Sequence, residues 1–189
     1  MLMCSVSTRR GSLGRVLVAT SEFVATTQVR QNDIRMSLTQ EEADHLLSIE
    51  KTFASASLIE FHMTSPFQQT HDLISMDRRE QFLLDVERGG RTRARLKFQT
   101  RARRTIVLAR IDIAGKAHRN LDHYPHRPGE RFTGVHIHLY REGFGDRVAY
   151  LPEDLPAFQL PANPHDLDWL TAFLDYCNII DRPDIQTVM

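Results

Sequence analysis

Cysteine is scarce in this chain, with only Cys4 and Cys177 among 189 residues. Two thiols cannot staple a small fold, so its stability must rest on an apolar core, which a chain of this length is able to bury. Long hydrophobic runs are missing as well. Nothing approaches the roughly 20 consecutive apolar residues of a membrane-spanning helix, and no stretch near the start has the length of a signal-peptide core. No internal repeat or low-complexity segment appears, and tryptophan occurs once. An excess of charge of one sign is also lacking, because 24 Lys plus Arg balance 24 Asp plus Glu. These absences predict one soluble, cytoplasmic domain that needs no membrane and no cofactor. Spread evenly, the balanced charge would also argue against an anionic partner.

The charge is not spread evenly. Residues 1–35 hold five Arg against Glu22 and Asp33, and residues 156–189 hold five Asp against Arg182. From Arg88 to Arg110 there are eight Arg and Lys97 with no acidic residue. In RTRARLKF, Arg91, Arg93, Arg95 and Lys97 alternate with Ala94, Leu96 and Phe98, which on a strand makes one face cationic and the other apolar. With Arg101, Arg103 and Arg104 in the following turn and Arg119 further on, this ridge is the expected surface for RNA or DNA. A solvated strand whose charges discourage aggregation is the competing reading of the same residues.

Organisation follows from periodicity. Residues 1–35 read as a flexible tail or an upstream-start extension, because Met36 stands just before a helix start. Thr39 and Glu42 are spaced as a capping box, Leu38 and Ala43 take the flanking staple positions, and the apolar spacing predicts a helix over 40–54. The period then drops to two. LIEFHM (58–63), HDLISMD (71–77), QFLLDVE (81–87), RTRARLKF (91–98), RTIVLARIDI (104–113), VHIHLYRE (135–142) and RVAYL (147–151) read as strands. The loop GKAHRNLDHYPHRPGERFTG (115–134) interrupts them. Residues 153–163 read as a proline-spaced linker, and Asn163 and Pro164 as the start of a C-terminal helix over 164–180. The expected fold is α+β: an N-terminal helix, an antiparallel sheet or partly open barrel of six to seven strands across 36–152, and a C-terminal helix packed on it.

Five of the nine histidines fall between residues 118 and 138. In HIHLYRE the even positions are His136, His138, Tyr140 and Glu142, so two imidazoles, a phenol and a carboxylate share one face of a strand. The preceding loop adds His118. Such groups carry general acid and base chemistry near neutral pH. The leading expectation is a metal-independent ribonuclease. In it His138 or Glu142 takes a proton, His118 or His136 returns one, and Arg119 or Arg141 steadies the charge on phosphorus. Acid and base must reach one bound group, which requires the ring of His118 to lie within about 10 Å of the other two. A metal site is the lesser reading: H-x-H presents two ligands on one side, and HIHLYRE echoes half of the cupin motif, but residues 143–160 contain no second histidine half. A surface for a host or phage protein, with no chemistry, is the alternative class. A wet sheet face with ordinary polar tenants is the plainest reading of all.

Four blocks carry a further signal: EEADHLL (41–47), FLLDVERG (82–89), LARIDIAGKAHRN (108–120) and HIHLYREGFGD (136–146). Together they resemble a family of small uncharacterised proteins of bacteria and phages, across residues 38–152. The resemblance implies kinship with phage- or mobile-element proteins without an assigned activity. It implies shared positions at His118, Asn120, His136, His138, Tyr140, Glu142 and Asp146. The loop differs from the family's tight Pro-Asp-Gly turn, so His123 and His126 read as local additions. Gly134 stands where the family often has proline.

Overall fold

The computed structural model describes residues 37–189 other than 57 and 91–94. The tail reading, Arg91 and Arg93 therefore lie outside the described residues. The first helix, α1 (Gln40–Ser48), starts as its capping box requires: the Thr39 hydroxyl accepts from the Glu42 N–H at 3.1 Å, and the Glu42 carboxylate accepts from the Thr39 N–H at 3.0 Å. It stops earlier than the expected 54. Ile49 turns extended, and Lys51 leads into strand β1 (Lys51–Phe53). The Lys51 side chain causes this stop. Fully buried, it donates from Nζ to the carbonyls of Leu47, Ile49 and Cys177 at 2.8–3.0 Å, satisfying the orphaned end of the helix.

The remaining strands are β2 (Leu58–His62), β3 (Phe67–Ser75), β4 (Gln81–Arg88), β5 (Leu96–Ala102), β6 (Ile106–Ile113), β7 (His118–Arg119), β8 (Arg131–Phe132), β9 (His136–Arg141), β10 (Gly145–Tyr150), β11 (Ile179–Asp181) and β12 (Asp184–Val188). The second helix, α2 (Asp166–Tyr176), lies between β10 and β11. Its N-cap is His165, not Asn163; the Asp168 carboxylate accepts from the His165 N–H at 2.7 Å. Nor is α2 the end of the fold, since β11 returns parallel to β1 and β12 parallel to β2. The main sheet has eight strands in the order β10-β9-β6-β5-β4-β3-β1-β11, mostly antiparallel, with free edges at β10 and β11. It is an open sheet and not a closed barrel, and it has one strand more than the upper expectation. The loop 115–134 is not wholly irregular either, because β7 and β8 pair within it.

Register sorts the sheet into rows. Val86, Phe98, Ile111 and Ile137 lie side by side across β4, β5, β6 and β9, all with no exposed surface, and Phe98 packs on Phe173 of α2 at 6.2 Å between ring centres. Rows on either side point to the opposite face. One runs Glu87–Lys97–Asp112–His136, and the next runs Asp85–Gln99–Arg110–His138. The period of two thus puts an apolar core on one side and a charged array on the other.

Candidate active site

His136 and His138 sit where β9 crosses the two charged rows, with Asp112 directly opposite the first and Arg110 opposite the second. The rings are 5.0 Å apart between centres, and both side chains are 2% exposed. Asp112 Oδ2 lies 3.5 Å from Nε2 of His138 and 3.9 Å from Nε2 of His136. Arg110 donates to that oxygen at 3.0 Å and to Asp146 at 2.5 Å, which holds the carboxylate in place.

His118 arrives from the loop. Its ring centre lies 4.7 Å from that of His138 and 6.0 Å from that of His136, well inside the distance that a shared site demands. Asn120 puts it there. Fully buried, its Nδ2 donates to the carbonyls of His126 and Ala149 at 2.8 and 2.9 Å, and its Oδ1 accepts from the Ala149 N–H at 2.9 Å. These bonds stitch β7 to β10 and fix which end of the amide is oxygen. Because that oxygen also faces Nε2 of His118 at 3.2 Å, Nε2 carries the proton and Nδ1 keeps the lone pair in the neutral ring. Similar reasoning fixes His136: Nδ1–H donates to the Gly134 carbonyl at 3.1 Å, and Nε2 keeps its lone pair.

Burial pushes the His136 imidazole below its ordinary pKa, against the opposing pull of the Gly134 carbonyl and Asp112. His138 falls further, to about 2, through burial first and then the Arg110 guanidinium and the two neighbouring histidines. Both are neutral bases at physiological pH. With Arg95, Lys97, Lys116 and Ala117 these groups line a cavity of about 370 Å³. Lys97 is paired with Glu87 at 2.5 Å, but neither Arg95 nor Lys116 forms an ion pair with a described residue. The rim therefore offers two free cations above a floor of three imidazoles and a carboxylate.

Other expected site residues are engaged elsewhere. The Tyr140 hydroxyl donates to the Leu38 carbonyl at 2.8 Å and accepts from its N–H at 2.9 Å, and the Glu142 carboxylate accepts from the Gln40 N–H at 3.0 Å. Both hold the start of α1 against β9. Tyr140 shares β9 with the histidines and Glu142 follows its end, but neither shares their site, because helix α1 covers that end of β9. The ridge divides too. Arg101 makes two bonds to Asp85 at 2.7 and 2.9 Å, Arg103 reaches Glu42 at 3.3 Å, and Arg119 binds the Gly129 carbonyl at 3.0 Å and Asp122 at 3.2 Å. Arg104 has no side-chain partner among the described residues, and of the ridge's other described cations only Arg95 faces the cavity unpaired. The absence of acids between Arg88 and Arg110 in sequence conceals their presence in space, because β4 supplies Asp85 and Glu87.

Asp112, Arg110 and Lys116 are site residues that the sequence pattern did not single out. Their signal lay in the alternation of LARIDI, which puts Arg110 and Asp112 on one strand face. Only the β6–β9 register sets them opposite H-x-H. Among the described residues no helix is long and apolar enough to cross a membrane.

No curated protein matches the chain. No solved structure matches it. A family model does match, over residues 38–179. The match takes in α2 and reaches the first residue of β11, Ile179, past the end of the resemblance in the sequence blocks. By that extent the chain belongs to a family of unknown function, DUF6978.

Proposed function

We propose that the protein acts on nucleic acid, and that the cavity between β9, β6 and β7 is a phosphodiester-cleaving site. The observation that carries this reading is the convergence of His118, His136 and His138 beneath Arg95 and Lys116. A phosphate needs cations to seat it, a base to activate the attacking oxygen, and an acid for the leaving oxygen. Arg95 and Lys116 supply the first. His136, neutral with its Nε2 lone pair free, supplies the second. His118, at the partly exposed mouth of the cavity, supplies the third. In the metal-independent form on RNA, His136 takes the proton of the 2′-hydroxyl as it attacks phosphorus, and His118 protonates the departing 5′-oxygen. Positioned proton transfer of this kind contributes about 10²- to 10⁴-fold in rate.

The test is incubation of end-labelled single-stranded RNA with the purified full chain, once in excess chelator and once with added Zn²⁺, beside His118→Ala. The reading expects cleavage by the wild type under at least one condition and a loss of about 100-fold in His118→Ala. No cleavage by the wild type under either condition, with protein well above RNA, overturns it.

A further inference from the structure

The metal-independent form leaves His138 without a task. It is the most buried of the three histidines and faces Asp112 directly, and its ring nitrogens are poorly served. Nδ1 is buried with no hydrogen-bond partner among the described residues, and Nε2 lies 3.5 Å from Asp112 Oδ2. A neutral imidazole has one N–H. Placed on Nε2, the proton makes at best a long bond to Asp112 and orphans the Nδ1 lone pair. Placed on Nδ1, it sets the Nε2 lone pair against a carboxylate. His136 is caught in the second way already, because its N–H is committed to Gly134 and its Nε2 lone pair faces Asp112 at 3.9 Å. With the proton on Nδ1, three electron-rich atoms face one another inside the protein; Arg110 serves the Asp112 oxygen at 3.0 Å, but the two imidazole lone pairs are left without a donor unless a cation sits between them.

One ligand atom from each of Asp112, His136 and His138 lies within 4.8 Å of the others. Bonds of about 2.1 Å to a tetrahedral zinc-type ion place neighbouring ligand atoms about 3.4 Å apart. The 3.5 Å separation already meets this, the 3.9 Å one needs a small contraction, and the imidazole pair, within 4.8 Å, closes by side-chain rotation. Outer contacts of the usual kind are present. His136 donates its other nitrogen to a backbone carbonyl, and Arg110 holds the carboxylate. Around the three ligands, Arg110 is engaged by Asp112 and Asp146 and Lys97 by Glu87, so among the described residues the unpaired cations of the cavity are Arg95 and Lys116 at its rim.

We infer that Asp112, His136 and His138 form a binding site for one divalent transition-metal ion of the zinc class, with open positions facing His118 and the cavity. Two imidazoles and one carboxylate are a ligand set suited to such ions. The ion's task rests on the reading of the cavity as a phosphodiester-cleaving site; its binding does not. There, the ion held by Asp112, His136 and His138 would activate a water whose proton passes to bulk water in the open cavity; as that oxygen bonds to phosphorus the P–O bond to the leaving oxygen breaks, and the leaving oxygen takes a proton from His118. His136 and His138 then serve as ligands, and the ion takes over from His136 the activation of the attacking oxygen.

The experiment uses the full chain stripped with chelator and dialysed, then titrated with Zn²⁺ by calorimetry and with Co²⁺ by visible absorption. The expected result is one ion per chain and a Co²⁺ spectrum of mixed nitrogen and oxygen coordination. Binding should weaken at least about 50-fold in Asp112→Asn and in His138→Gln, while His45→Gln, on the exposed side of α1, leaves it unchanged. Should a variant fail to fold by circular dichroism, paramagnetic displacement of the His136 and His138 ring resonances by Co²⁺ in the wild type decides instead. Absence of a stoichiometric site in the wild type, or binding untouched in a folded Asp112→Asn, overturns the inference. Stoichiometric binding without RNA cleavage would leave the ion site standing and remove the proposed function. Cleavage that persists in chelator by a chain that binds no ion would do the reverse.

Discussion

Asn120→Asp changes one nitrogen to oxygen, and the surroundings of that atom set the cost. Nδ2 is fully buried and donates to two carbonyls, at 2.8 and 2.9 Å. After the exchange both carbonyls face an oxygen. Each buried acceptor left without a donor costs about 1–3 kcal/mol, so the two together cost about 2–6 kcal/mol. Burial and the opposing carbonyls raise the pKa of the new carboxyl, since only its protonated form restores a donor. A raised folded-state value gives stability that is present at low pH and lost as pH climbs through it, at about 1.4 kcal/mol per unit. The deficit relative to wild type is therefore larger at pH 7.5 than at pH 5. Urea unfolding of both proteins at the two pH values measures it. A deficit under about 1 kcal/mol at pH 7.5, or one that grows on acidification, refutes the reasoning that Asn120 ties the His118 loop to β10.

Three other outcomes follow from the same contacts. Tyr140→Phe leaves the buried N–H and carbonyl of Leu38 unpaired and should cost about 2–6 kcal/mol in urea unfolding, while RNA cleavage per folded molecule stays at the wild-type rate. Lys51→Met strips the donor shared by three carbonyls at the ends of α1 and α2 and should cost about 3–5 kcal/mol; burial lowers the lysine's pKa to about 8, which still leaves it charged at pH 7, where the measurement is made. Arg95→Ala with Lys116→Ala should reduce the slope of log affinity for single-stranded RNA against log salt by about 1.4, read by fluorescence anisotropy between 50 and 200 mM salt, whereas Arg101→Ala should leave that slope unchanged and lower stability through the loss of its bonds to Asp85.

Much of the fold was legible where local chemistry decides it. The Thr39–Glu42 capping box and the buried Leu38 and Ala43 stand as residue spacing implies, whereas the polar face of HIHLYR is not wet, since β9 is buried from His136 to Tyr140. What escaped depended on distant partners. Helix α1 ends six residues early because Lys51 finds a carbonyl of Cys177, 126 positions away. The helix expected over 164–180 hides β11, and no element is expected after it; β11 and β12 pair with β1 and β2, whose edges only the assembled sheet presents. For the site, the pairing of His118 with H-x-H was readable as a cluster. The carboxylate depends on register: Glu142 stands just past the end of β9, whereas Asp112 from the neighbouring strand β6 is the one that meets the imidazoles. The basic ridge is partly neutralised for a related reason, since a charge count along one strand does not see Asp85 and Glu87 on the next.

The most direct measurement of where the protein acts is imidazole ¹⁵N NMR during titration with a non-cleavable dinucleotide phosphonate. The rings of His118 and His136 should shift together and saturably, with His126, which is paired to Asp154 and stacked on Tyr150, left in place. Saturable binding that moves none of His118, His136 and His138 would contradict the assignment of this cavity as the phosphate site.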